Sequence, residues 1–98
     1  METFKEVIAG DQLVLVDFYA TWCQPCRMMH PVLEQLKQVL GDKIRIIKVD
    51  VDKYSETAHQ YQIQSVPTLM LFQRGILKWR ASGAVSKAEL LSTIDPFI

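Results

Sequence analysis

The segment Leu13–Tyr19 limits the fold of this chain more than any other feature of its sequence. It reads Leu-Val-Leu-Val-Asp-Phe-Tyr, so both of its alternating faces are apolar except at Asp17. A short apolar run of this kind is typical of a strand that is covered on both faces. We therefore predict a central strand here, and we expect Asp17 to have either a functional role or a hydrogen-bonded structural one.

A long helix is predicted after this strand. Apolar residues recur at steps of three and four over residues 25–40, which is the spacing of one helical face, and Gly41 follows as a C-terminal stop. Pro31 lies inside this segment, where it removes a backbone donor and is expected to kink the axis. Met28 and Met29 fall on the helical repeat, and we interpret both as core residues.

The remaining patterns complete an alternation of helices and strands that begins with a helix before Leu13. Strands are predicted over residues 44–51, 66–72 and 76–81, and helices over residues 55–61 and from Ser86 onward. Strands joined through a long helix lie parallel, whereas the last two, joined at Arg74-Gly75, form an antiparallel hairpin. We predict a single α/β domain over residues 1–98, with a mixed sheet of about four strands between helices on both faces.

The charge balance and the hydropathy pattern exclude several classes of function. Lys and Arg number 11, as do Asp and Glu, so the net charge is 0 and nucleic acid is not an expected partner. The N-terminal residues are charged where a signal peptide is apolar, and no apolar run approaches the ~18 residues that span a bilayer. We expect a soluble chain without a membrane partner, although a leader removed beforehand would leave no trace.

The two cysteines, Cys23 and Cys26, stand three positions apart. A disulfide between them closes a ring too small to stabilise the fold by more than about 2 kcal/mol. A lone C-x-x-C pair in a chain with its own core predicts redox or metal chemistry instead. The other zinc ligands would have to be His30 and His59, which lack the usual spacing and are expected at the surface, so no mononuclear metal site is predicted. A cluster shared between two chains is the remaining metal alternative.

Cys23 is predicted to lie where the central strand ends and the long helix begins. The unpaired amide donors and the positive dipole end of a helix stabilise an anion there, so the pKa of the Cys23 thiol should be lowered. Cys23 is therefore the predicted attacking sulfur, and Cys26, one helical turn further in, is the predicted resolving one. Pro25 suits the first turn because no hydrogen bond is lost there.

From about residue 4 to residue 97, the chain closely resembles the thioredoxin family. The residues that carry the resemblance are Asp17, Trp22-Cys23-Gln24-Pro25-Cys26-Arg27, Pro31, Val66-Pro67-Thr68 and Gly83. The resemblance implies a thioredoxin fold in which Pro67 is cis and faces the dithiol. It also implies that Asp17 lies beneath Cys26 and manages its proton, with a raised pKa that Lys48 moderates.

The function that this resemblance implies is that of a cytoplasmic protein-disulfide reductase, a dithiol electron carrier that holds no bound cofactor. Its implied partners are disulfide-containing client proteins and a flavin-dependent NADPH reductase, thioredoxin reductase. The residues expected to contact clients are Trp22, Gln24, Pro25, Val66, Pro67, Gly83 and Ala84. Two alternatives stay open: a thiol-disulfide oxidant or isomerase, and a binding module with this fold but without turnover.

The chain departs from the family pattern in two ways. Gln24 replaces the usual glycine between the cysteines, but Pro25 is retained, so we expect a reductant with a potential nearer about −270 mV than −120 mV. The sixteen residues before Asp17 are too few for both the first strand and the first helix of the family, so the first family strand is missing. The strand over residues 44–51 is then an open edge, through which we expect a weak homodimer or a loss of stability.

Overall fold

Four helices and four strands, in the predicted order, make up the structure, a computed structural model that describes residues 2–98. The helices are α1 (Phe4–Ala9), α2 (Gln24–Leu40), α3 (Ser55–Gln60) and α4 (Lys87–Ile94). The strands are β1 (Leu13–Tyr19), β2 (Ile44–Asp50), β3 (Thr68–Gln73) and β4 (Ile76–Ser82). Short 3₁₀ helices at Gly41–Lys43 and Asp95–Phe97 follow α2 and α4.

The strands form one mixed sheet in the order β2-β1-β3-β4. β1 is parallel to β2 and antiparallel to β3, and β3 is antiparallel to β4. The prediction of a central strand at Leu13–Tyr19 is therefore confirmed. Within residues 2–98 no strand precedes α1, and β2 forms an edge of the sheet, as expected.

The core has two parts, one on each face of the sheet. Alternate residues of β1 point to opposite faces, so Leu13, Leu15 and Asp17 share one face while Val14, Val16 and Phe18 share the other. The first face packs against α2 and α4, through the buried residues Met29, Leu33, Leu36, Leu90 and Ile94. The second packs against the α1 side of the sheet, through Ile8, Phe4 and Tyr61. Asp17 thus lies in the layer between β1 and α2.

One core prediction was wrong. The buried residues of α2 are Cys26, Met29, Leu33 and Leu36, whereas Met28 is 64% exposed. Adjacent helical residues point about 100° apart because the helix has 3.6 residues per turn, so the burial of Met29 turns Met28 toward solvent.

The third predicted strand begins two residues later than expected. β3 starts at Thr68, so Val66 and Pro67 precede it. Pro67 has no backbone N–H to donate to a neighbouring strand, which removes it from the ladder. At the other end of β3 the predicted hairpin is present, with positive φ values of 53° at Arg74 and 76° at Gly75. Two successive residues of this kind match the twist of a two-residue hairpin.

Ser86 caps the start of α4, the helix predicted from this residue onward. The Ser86 side chain accepts a hydrogen bond from the backbone N–H of Glu89 at 3.2 Å. This bond satisfies one of the amide donors that the first turn of a helix leaves unpaired. None of the helices in residues 2–98 combines the length and the apolar character that crossing a membrane requires.

Candidate active site

Cys23 caps the N-terminus of α2. Its backbone is extended, with φ −90° and ψ 115°, and its Sγ accepts a hydrogen bond from the N–H of Cys26 at 3.2 Å. The two cysteines form a disulfide with their Cα atoms 5.3 Å apart. Cys26 is fully buried, whereas Cys23 keeps 4% of its surface exposed. The sulfur that is nearer to solvent is thus the one held at the helix start, where a thiolate is stabilised.

A second segment faces this sulfur. The Val66–Pro67 peptide bond is cis, as the family resemblance implied. The carbonyl oxygen of Val66 lies 3.6 Å from Cys23 Sγ. Pro67 is buried, while Val66 remains partly exposed beside the dithiol.

Gly83 forms a backbone hydrogen bond with the Val66–Pro67 segment. Its N–H donates a hydrogen bond to the carbonyl oxygen of Pro67 at 2.8 Å. Gly83 has φ +92°, a conformation that glycine adopts without the steric cost other residues have. Ala84 follows it and is exposed, so the two predicted contact residues after β4 lie at the border of the Pro67 segment.

Trp22, a predicted client-contact residue, is exposed, with 67% of its surface accessible. Its indole Nε1 donates a hydrogen bond to Asp52 Oδ2 at 2.9 Å. Asp52 was not predicted as a site residue. It lies just after β2, near the carboxyl end of a parallel strand pair, and such a position is typical of site residues. Gln24 and Pro25, also predicted contact residues, are exposed on the first turn of α2.

A shallow groove of about 160 Å³ begins at Trp22. Its lining residues are Trp22, Val51, Ile63, Gln64, Ser65 and Val66. Val51 and Ile63 were also missed, because nothing in their local sequence distinguishes a groove wall from a core position.

Asp17 is buried with no exposed surface, and neither of its carboxyl oxygens has a hydrogen-bond partner in the described part of the chain. Burial raises the pKa of Asp17 to about 6, because the charged carboxylate loses its solvation, and the positive charge of Lys48 opposes this rise. Lys48 is the residue directly opposite Asp17 on β2. Both effects have the directions that the family resemblance implied.

The histidines have different environments. His59 is exposed, as expected, but His30 is only partly exposed and its Nε2 atom is buried. The His30 ring packs edge-on against Tyr19, with centroids 5.8 Å apart at 84°. His30 therefore corrects the expectation of a surface residue, because one turn past Cys26 the helix still faces β1. Across residues 2–98, no group of three or more His, Cys, Asp or Glu side chains could hold a metal ion.

These features define a class of protein. A cysteine pair at a helix start, with one cysteine at the edge of the buried core and a cis-prolyl segment opposite, suits the exchange of disulfides with another chain. The fold and the site are those of a thiol-disulfide oxidoreductase. A family model described as Thioredoxin matches residues 1–96, and the chain belongs to the thioredoxin family. Proteins of this family need no bound cofactor, since the cysteine pair itself is the redox centre.

Known relatives cover most of the chain. It is 49% identical over 96 residues to a thioredoxin-like protein of Synechocystis sp., covering 97% of this chain and 91% of the relative. It is 45% identical over 94 residues to Thioredoxin 1 of Synechococcus elongatus, covering 95% and 88%. Chloroplastic Thioredoxin Y of Oryza sativa subsp. japonica is 42% identical over 94 residues, which are 95% of this chain and 56% of the relative.

A solved structure supports the same fold. It is described as the structure of a malarial protein and matches with a TM-score of 0.84 at 29% identity. The match covers 89% of this chain and 98% of the other.

Proposed function

We propose that this protein is a protein-disulfide reductase that carries electrons in its Cys23–Cys26 dithiol. The proposal rests on the position of Cys23 Sγ. This atom accepts a hydrogen bond from the Cys26 N–H at 3.2 Å and lies 3.6 Å from the Val66 carbonyl oxygen. The amide stabilises a thiolate, and the carbonyl group marks where an extended client chain can pair with the backbone.

The reaction has two exchange steps. First, the Cys23 thiolate attacks one sulfur of the client disulfide, so a mixed disulfide forms and the other client sulfur leaves as a thiolate. Cys26 then gives its proton to the Asp17 carboxylate, and its thiolate attacks Cys23 Sγ. The mixed disulfide breaks and the Cys23–Cys26 disulfide forms. The client has gained two electrons and takes two protons from solvent, while Asp17 holds the proton that Cys26 gave up.

Lys48 and the client-contact residues also have roles in the proposed reaction. Lys48 limits the rise in the Asp17 pKa, so that Asp17 is ionised and able to accept a proton near neutral pH. Clients bind as an added extended chain along Val66 and Pro67. The residues that border this chain are Trp22, Gln24, Pro25, Gly83 and Ala84.

The potential of the dithiol distinguishes a reductant from an oxidant or isomerase. Pro25 cannot supply the positive charge that stabilises the reduced form in oxidants. We therefore expect equilibration with glutathione to give about −270 mV, and a value above about −200 mV would overturn the reductant assignment. An insulin-reduction assay tests the remaining alternative, because a binding module would show no thiol-dependent turnover.

We further propose that the domain formed by residues 1–98 works in the cytoplasm and is recycled by a flavin-dependent NADPH reductase. The cyanobacterial relatives named thioredoxin support this assignment. Reduction of the disulfide by NADPH and a purified thioredoxin reductase is the direct test. Failure of that reductase, with full reduction by a small dithiol, would contradict the recycling route alone.

A weak homodimer through β2 is the last part of the proposal. β2 is a sheet edge, but it carries Lys48, whose charge repels the same charge of a second copy across a two-fold axis, whereas the charge of Arg45 is balanced by Glu2 at 2.8 Å. Light scattering should show a mass that rises with protein concentration and with salt, because salt screens this repulsion. The variant Lys48→Gln should associate more strongly, while Lys78→Gln on the opposite edge should not. A monomer under every condition would contradict the dimer.

A further inference from the structure

Asp17 and His30 carry buried polar atoms without a hydrogen-bond partner, although the His30 side chain as a whole is only partly buried. Within residues 2–98 these atoms are Oδ1 and Oδ2 of Asp17 and Nε2 of His30. A buried polar group left unpaired is energetically unfavourable, so each one calls for an explanation. The proposed function explains Asp17 and leaves His30 unexplained.

The two side chains lie in the same layer of the molecule. Asp17 and Tyr19 are two residues apart on β1, so both side chains point to the face that α2 covers, about 7 Å apart along the strand. His30 lies on α2, four residues after Cys26 and hence on the same side of the helix. Its ring contacts the Tyr19 ring at 5.8 Å between centroids. His30 therefore reaches the side-chain position next to Asp17.

The charge of Lys48 affects both Asp17 and His30. It stands opposite Asp17 in the β1–β2 register, and its positive charge lowers the pKa of Asp17 and also that of His30. The same positive charge therefore acts on both groups. A groove of about 190 Å³ between α2 and β2 opens beside it. Its lining residues are Leu33, Glu34, Lys37, Ile46 and Lys48.

The groups that face His30 keep its ring neutral near pH 7. Burial and Lys48 lower the pKa of His30, and Glu34 on α2 opposes them. From β1 the ring meets the phenol of Tyr19, and Asp17 is the preceding residue of the strand on the same face. Asp50, opposite Tyr19 on β2, accepts the backbone N–H groups of Asp52 and Lys53. A neutral imidazole accepts a proton at one nitrogen and donates one from the other.

The reductase reaction requires such a group. Asp17 takes a proton from Cys26 in the resolving step but has no exposed surface from which to release it. We propose that His30 carries protons between Asp17 and solvent. A water bound by Nε2 takes the proton of the Asp17 carboxyl group and passes one to Nε2, while the other ring nitrogen gives a proton to solvent. Asp17 returns to the carboxylate, and His30 remains neutral as its other tautomer.

This inference rests on the proposed reductase function and concerns only its resolving step. Two variants separate the relay from packing. His30→Phe keeps a ring against Tyr19 but has no nitrogen, and His30→Ala leaves space for imidazole added to the solution. His59→Ala, at the exposed histidine of α3, is the matched control.

The experiment measures the two exchange steps separately. A peptide with one disulfide is mixed with the reduced protein from pH 5 to pH 9, and formation and decay of the mixed disulfide are followed in a stopped-flow instrument. His30→Phe should form the mixed disulfide at the parent rate but resolve it roughly tenfold more slowly. Imidazole should restore the resolving rate of His30→Ala, and His59→Ala should behave as the parent.

A further arm uses Asp17→Asn, which cannot accept the proton. In that background His30→Phe should have no additional effect, because the two side chains act in one route. The relay is overturned if His30→Phe has the same resolving rate and pH profile as the parent. It is also overturned if His30→Phe slows the resolving step of the Asp17→Asn protein by as much as it slows that of the parent. The relay is also overturned if the His30 variants slow both exchange steps and imidazole does not restore the rates. If His30→Phe does not fold, the same comparison is made with His30→Ala alone.

Failure of the relay and failure of the reductase function are distinguishable. Turnover of insulin by the parent protein tests the function without reference to His30. A parent that turns over insulin, with unchanged His30 variants, removes only the relay. A parent without thiol-dependent turnover removes the reductase assignment itself.

Discussion

Replacing Cys23 with serine is expected to lower the rate of insulin reduction by at least about a thousandfold, because the attacking nucleophile is lost. Serine in this position keeps the helix cap but has a hydroxyl group that does not ionise near neutral pH. The fold should therefore persist while the chemistry stops. The measurement is the insulin-reduction rate with a small dithiol as the electron source, together with a thermal melt of each variant.

Cys26→Ser is the matched control for this prediction. It keeps the Cys23 thiol at the helix start and removes only the buried sulfur, so the first exchange should proceed and the second should not. The variant should accumulate a mixed disulfide with its client, visible as a band that a reductant removes. Trapping of clients by Cys23→Ser, or an active Cys23→Ser protein, would reverse the assignment of the two sulfurs.

The disulfide form of Asp17→Asn is expected to be more stable than the parent at pH 7 by about 3 kcal/mol. A raised pKa means that the folded protein holds the Asp17 proton more tightly than the unfolded chain does. The cost of ionising the buried group is therefore absent below pH 3.8, grows as the pH rises, and is complete above about 6. Each pKa unit corresponds to about 1.4 kcal/mol, and asparagine keeps the shape without the charge.

Urea unfolding across this pH range tests the sign as well as the size of the effect. The two proteins should have equal stability near pH 4 and should diverge as the pH rises. Lys48→Met should show the opposite sign, since loss of the lysine charge raises the Asp17 pKa further and destabilises the protein at pH 8. A stability difference that does not vary with pH would show that Asp17 is ionised at the same pH in both states.

Much of the fold was readable from local patterns. The apolar run of β1, the helical repeat of α2 and the turn at Arg74-Gly75 each depend on neighbours a few residues away, and all three are present. The burial of Met29 but not Met28 was not readable, because periodicity shows which residues share a face without showing how the helix is rotated on the sheet.

Some features of the site could likewise be predicted from neighbouring residues, and others could not. The helix cap made by Cys23 involves residues three positions apart, and its chemistry follows from local spacing. The bond between Trp22 and Asp52 joins residues thirty positions apart and went unpredicted. The family resemblance supplied what local spacing could not, including the cis bond before Pro67 and the pairing of Asp17 with Lys48.

The sequence by itself determined that a covered strand leads into a helix whose first turn holds two cysteines, because strand burial and helix capping act over a few residues. Only the tertiary structure decided how the Val66 carbonyl group approaches Cys23, how deeply Asp17 is buried and where Nε2 of His30 lies. Those features depend on how α2 sits on β1 and how a segment forty residues away returns to it. Packing between distant elements sets the solvation, and with it the acidity, of the groups that move protons.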